Sequence, residues 1–215
     1  MDQKETIFEK IKEKTTTEAF VDMVSSNHTM IPVLFEIIHL DKGTQKFYCE
    51  KIIRKLSELS PELIYPYFND VVQMVESDNK FVKWGGIITL TNLLSEDQEG
   101  RFRHVFDSFY NLIDSEVMIT AVNIINNTWK IIKYYPDLET QITDKLLAIE
   151  SNTYTHNGKV SSECKNIVLG AVINCFGTYF EISERKEEIL AFVKRQKNNT
   201  RKKVAKAAVD FLKDK

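Results

Sequence analysis

Glycine and proline are scarce in this chain, seven and four in 215 residues. That is too few for an all-β protein with many turns, or for a doubly wound nucleotide-binding fold. No apolar run approaches the roughly 18 residues that a membrane span needs. The opening stretch, MDQKETIFEKIKEK, is charged and already helical in pattern, unlike a secretory leader, which sets the expectation of a cytoplasmic protein. The three cysteines, Cys49, Cys164 and Cys175, are an odd number and show no metal-type spacing. Cys164 and Cys175 stand eleven residues apart on one predicted helix, about 16 Å at the helical rise, beyond disulfide reach. All three fall on apolar faces and read as buried, reduced thiols.

Catalytic signatures are missing too. The four histidines (His28, His39, His104, His156) are scattered, with no His-Glu dyad and no ligand spacing. No G-x-S-x-G, phosphate-binding loop or dinucleotide fingerprint occurs, so no cofactor is expected. The carboxylates lie on predicted surfaces, with no sign of a shielded pair. The chain therefore reads as non-enzymatic.

What is present is helical periodicity. Apolar residues make up 43% and charged residues 28%, ordinary values for a globular protein. The stretch from Pro61 to Leu94 predicts two amphipathic helices joined by a polar turn. Phe68, Val71, Val72 and Val75 share one face of the first; Val82, Gly86, Leu90 and Leu93 share one face of the second. Versions of this unit recur. Placing Lys83 opposite Lys46, Met118, Lys165 and Arg201 gives intervals of 37, 35, 47 and 36 residues. Three columns then align: Cys49, Gly86, Ala121, Val168, Val204; Ile53, Leu90, Ile125, Val172, Ala208; and Leu56, Leu93, Thr128, Cys175, Phe211. All but Thr128 are apolar or glycine. Helix pairs repeating at this period predict an all-α superhelix, a solenoid of about five to six helix pairs.

The expected organisation is a single domain over 1–215. Capping helices occupy 1–27, with threonine at 15–17 as an N-cap for the second. Repeats follow at 28–60, 61–98, 99–139 and 140–185, and a basic C-terminal cap closes the array at 186–215. The longest interval contains a polar insertion, SNTYTHNGKVSS at 151–162, which reads as a surface loop.

Pro66, Asp78, Val82-Lys83, Gly86, Leu90 and Leu93, and in the preceding repeat Pro32, Asp41, Lys46, Cys49, Ile53 and Leu56, resemble the unit of the HEAT-repeat family of armadillo-type α-solenoids, prokaryotic members included. The resemblance covers about residues 28 to 215 and implies a stacked-helix fold. It also implies that Asp41 and Asp78 pair with Lys46 and Lys83 in a structural ladder. The third repeat departs from it, with Met118 in the cation's place. HEAT-like metal-dependent hydroxylases carry recurring His-Glu pairs, which this chain lacks. HEAT-like DNA glycosylases need a basic groove, whereas the central repeats here are acidic.

Two surfaces stand out. On the second helices, the face opposite the core carries a polar column, Lys55, Asn92, Asn127, Asn174 and Asp210, with Asn123 and Asn126 beside it. In a solenoid these helices line the concave wall, and in armadillo-type proteins similar asparagine rows pair with an extended peptide. Trp84, aligned with Phe47 and Ile119, occupies the same face near Ile88, either exposed there or folded over the small residues of its neighbour helix; Trp129 aligns with apolar positions and is expected in the core. A protein partner is therefore expected at Trp84, Ile88, Asn92, Asn123, Asn127 and Asn174. The second surface is the C-terminal cap, where residues 185–215 carry eleven Lys/Arg against four Asp/Glu. Lys194, Arg195, Arg201, Lys202, Lys203 and Lys206 make nucleic acid the alternative partner.

Overall fold

In a computed structural model, which describes residues 3–213 and 215, the protein is all-α, with one small hairpin. Residues 1, 2 and 214, at the outer edges of the two expected caps, lie outside the described residues. The helices are α1 (Gln3–Lys12), α2 (Thr17–Ser26), α3 (Ile31–Leu40), α4 (Gln45–Leu59), α5 (Pro61–Ile64), α6 (Phe68–Glu76), α7 (Lys80–Asn92), α8 (Arg101–Tyr110), α9 (Met118–Tyr134), α10 (Glu139–Ala148), α11 (Ser162–Tyr179), α12 (Lys186–Gln196) and α13 (Lys202–Lys213). Counting α5 and α6 as one broken helix, they group into six pairs. The break falls at Tyr65–Tyr67, a 3-10 turn containing Pro66, where proline withholds a helical hydrogen bond.

The chain divides into two compact units, 1–104 and 105–215. In the first, second helices lie side by side, α2 on α4 and α4 on α7, while α1 packs on α3 and α3 on α6 in the opposite layer. In the second, α9 packs on α11 and α11 on α13, with α10 against α12. Each unit is thus two layers of stacked helix pairs around its own apolar core. The aligned columns lie in those cores: fourteen of the fifteen positions are buried, and Phe211 alone is half-buried. Thr128, the polar exception in the alignment, is fully buried because its hydroxyl bonds the Ile124 carbonyl (3.1 Å) and the Tyr110 hydroxyl (3.0 Å).

Helix starts follow local chemistry. Thr16 caps α2 by accepting from the Ala19 amide, and Asn79 caps α7 by accepting from the amides of Phe81 and Val82. The buried carboxylate of Asp97 accepts from the Arg101 and Phe102 amides at the start of α8 and from the Tyr65 hydroxyl (2.7 Å). The implied charge ladder is absent at its two best positions. Asp41 instead accepts from the Gly43 amide within its turn, and Lys46 points at the Asp41 backbone carbonyl (3.4 Å). Among the described residues, no ion pair joins Asp41 to Lys46 or Asp78 to Lys83.

The insertion is more ordered than a loop. Strands β1 (Thr155–His156) and β2 (Lys159–Val160) pair antiparallel around Asn157-Gly158, both at positive φ (51° and 72°), the geometry of a tight hairpin turn. It is moored by Tyr154, fully buried, whose hydroxyl donates to the Ile113 carbonyl (3.0 Å), and by the Thr155 amide, which donates to the Glu116 carbonyl (2.9 Å). All three cysteines are free and buried.

Candidate functional site

The site residues of the first unit stand on α7. Gly86 faces α6: a Cβ there would meet the Val75 amide nitrogen and Met74 Cβ at 2.7 Å. At 100° per residue, positions 84 and 88 lie about 200° round from Gly86. Trp84 and Ile88 therefore face away from α6, each half-buried, with Asn92 one turn further on. Trp84 packs edge-on against Phe81 (centroids 5.3 Å, 73°), and Phe81 packs edge-on against Phe47 of α4 (5.6 Å, 72°). Phe81 is 64% exposed. This three-ring cluster joins α4 to α7, with Lys46 Nζ 5.6 Å from the Phe47 ring centroid.

The asparagine column is largely occupied by bonds inside each unit. Asn92 donates to the Ser57 hydroxyl (3.0 Å). Asn127 donates to the Asn123 carbonyl (2.9 Å) and accepts from Lys130 Nζ (2.8 Å). Lys55 pairs with Glu58, and Asp210 with Lys206. Asn174 is exposed, and the residue that shares a hollow with it is Asn126. That hollow, about 240 Å³ between α9, α11 and α13, is lined by Val122, Asn126, Gly170, Asn174, Lys203 and Ala207 among others. Trp129 departs from expectation: it is 44% exposed. Its aligned partner Phe176 is covered by Phe192 of α12 (5.5 Å, 87°), whereas Lys130 approaches the Trp129 ring.

Of the six candidate cations at the C-terminal end, three are engaged: Arg195 with Glu150, Arg201 with Glu163, and Lys206 with Asp210. Lys194, Lys202 and Lys203 are exposed. Lys194, with Lys197, Lys215, Leu190 and Leu212, lines an open cleft of about 680 Å³.

No protein-family model, curated protein or solved structure matches this chain. The likeness to HEAT repeats therefore rests on the residues quoted above and on the helix-pair layering.

Among the described residues, no group of three or more His, Cys, Asp or Glu side chains could hold a metal ion, and no helix is long and apolar enough to cross a membrane. Strongly displaced ionisation belongs to structural groups. Burial pushes the Cys49 and Cys175 thiols up to about 12. Burial also raises the Tyr110 and Tyr179 phenols; both sit in hydrogen-bonded cores, the latter with Thr143. Sequence reasoning singled out Trp84 but missed Phe81, the most exposed of the three rings. The signal was the spacing within KFVKW, which puts Phe81 and Trp84 three apart on one helical face. Asn126 was legible only as a neighbour of the column.

Proposed function

We propose that the protein is a non-enzymatic interaction scaffold, a HEAT-like α-solenoid that receives a protein partner on the faces of its second helices. The observation that carries this reading is the Phe47–Phe81–Trp84 cluster. An aromatic ring left 64% exposed beside two more, on a face turned from the core, is the kind of apolar anchor site that partner binding covers. Trp84 and Ile88 belong to this surface. Asn92, Asn123, Asn127 and Asn174 stay part of the proposal as polar flanks rather than as a free row of amides. The test is capture of partners after nuclease treatment, comparing the wild type with Phe81→Ala/Trp84→Ala. Retention of a protein by the wild type and its loss with the double variant is the expected result; equal retention by both overturns the reading.

A second reading, association with nucleic acid through the C-terminal pair, is favoured by the lysine-lined cleft at Lys194 and by exposed Lys202 and Lys203. Internal pairing of Arg195, Arg201 and Lys206 counts against it. It predicts binding that falls steeply with salt and vanishes when Lys194, Lys202 and Lys203 become glutamate. Salt-insensitive binding removes it.

A further inference from the structure

The helices that carry the aromatic cluster have a positive charge balance. Together α4 and α7 hold Lys46, Lys51, Arg54, Lys55, Lys80 and Lys83 against only Glu50 and Glu58, and α7 has no carboxylate at all. Both glutamates are already paired, Glu50 with Arg54 (2.8 Å) and Glu58 with Lys55 (2.9 Å). Glu50 is also only 8% exposed, so it presents little negative charge outward. That leaves Lys46, Lys51, Lys80 and Lys83, none of them in an ion pair among the described residues. In a chain whose formal net charge is −2, this is a local excess of positive charge.

Chain spacing sets these lysines beside the rings. Lys51 follows Phe47 by four residues, and Lys80 precedes Trp84 by four, the spacing of neighbours on one helical face. Lys46 lies over Phe47, and Lys83, next to Trp84 in the chain, stands about 100° round the helix from it. An exposed ring backed by two half-buried ones, flanked by cations outside any ion pair, is complementary to an apolar side chain framed by carboxylates. Single-stranded nucleic acid would need ring faces laid open for bases to stack on. Here the rings meet edge to face at 72° and 73° and touch one another, so they form no parallel slot for a flat base.

We propose that the occupant of this surface is an acidic segment of a protein partner. A short stretch of chain packs one apolar side chain on the exposed surface of Phe81 beside Trp84 and lays Asp or Glu residues against Lys46, Lys51, Lys80 and Lys83. The proposal rests on the docking reading above and adds the chemistry of the partner.

The experiment is selection of a displayed library of short random peptides on the folded protein. Bound clones are then sorted by whether they still bind Phe81→Ala, an exposed-site variant, and Phe81→Ala/Trp84→Ala, with circular dichroism confirming helix content. The expected result is a cluster-dependent set in which Asp and Glu flank Leu, Phe or Trp. A synthetic member of that set should bind Lys51→Glu/Lys80→Glu about ten-fold more weakly and lose affinity as salt rises. Cluster-dependent peptides that are neutral or basic overturn the acidic partner while leaving the docking site standing. If no peptide depends on the cluster, both readings fall together. Cluster-dependent binding of a single-stranded oligonucleotide in place of peptide overturns the choice of partner class.

Discussion

The buried carboxylate of Glu50 lies against Gly85 of α7. A Cβ on Gly85 would lie 2.0 Å from Glu50 Oε1, so glycine makes room for the carboxylate to lie across α7. Burial raises the Glu50 pKa above 4.5, against the opposing influence of Arg54. With the folded value above the unfolded one, the native state binds the extra proton between them, and the ionised form is penalised at neutral pH. Replacing Glu50 by glutamine should therefore raise thermal stability near pH 7, since Arg54, its side chain 37% exposed, can still turn to water and to the amide oxygen. The gain should shrink as pH falls towards 4.5. Melting curves of the two proteins across that range check it, and a variant less stable at pH 7 contradicts it. None of this was legible in the sequence, where Glu50 reads as one more charge on a solvated face. What hides it is that Gly85 had no visible purpose until its neighbour was known. Trp129 failed for a related reason: its register matched Phe176, but the ring that covers Phe176 comes from another helix.

At the scale of elements, glycine positions divide by what stands opposite them. At Gly86 the opposing atoms are α6 backbone, which cannot swing aside. Alanine there gains about 1 kcal/mol of helix propensity, yet overpacking against main chain should outweigh it, for a net loss of about 2 kcal/mol. At exposed Gly177 the nearest atom is Phe211 Cδ2 at 4.0 Å, ordinary contact. The same change there should stabilise by about 0.5–1 kcal/mol. Urea denaturation of both variants reads the two signs; equal signs would show that the close approach of α6 and α7 is not what selects glycine. The small-residue column that contains Gly86 was readable from the alignment, because close helix crossings impose it repeat after repeat. The hairpin at 155–160 was not read, although Asn157-Gly158 is the residue pair that a two-residue turn favours. Polar composition masked it, and its mooring at Tyr154 depends on a carbonyl some forty residues earlier in the chain, which no local pattern encodes.

Over the whole molecule, charge and core are distributed differently. Residues 185–215 carry a net +7 and the remainder −9, yet every aligned column sinks into an apolar interior in both units. That interior was the most legible part of the protein, since helical period and burial express the same geometry. The candidate surface was less so, because exposure depends on which neighbour covers a residue. The division at 104/105 leaves Cys49 in the first unit and Cys164 and Cys175 in the second. With Cys49 and Cys175 buried and their ionisation pushed up to about 12, neither sulfur is nucleophilic near pH 7 while its surroundings stay closed. Alkylation followed by peptide mass mapping should find both unmodified in the native protein and all three thiols modified in guanidinium; rapid native labelling of Cys49 or Cys175 contradicts the packing described. The same two sulfurs then act as stopwatches already installed in the chain. The label acquired at Cys49 times the opening of residues 1–104, the label at Cys175 times the opening of residues 105–215, and the breathing of each half can be followed without inserting a probe into either.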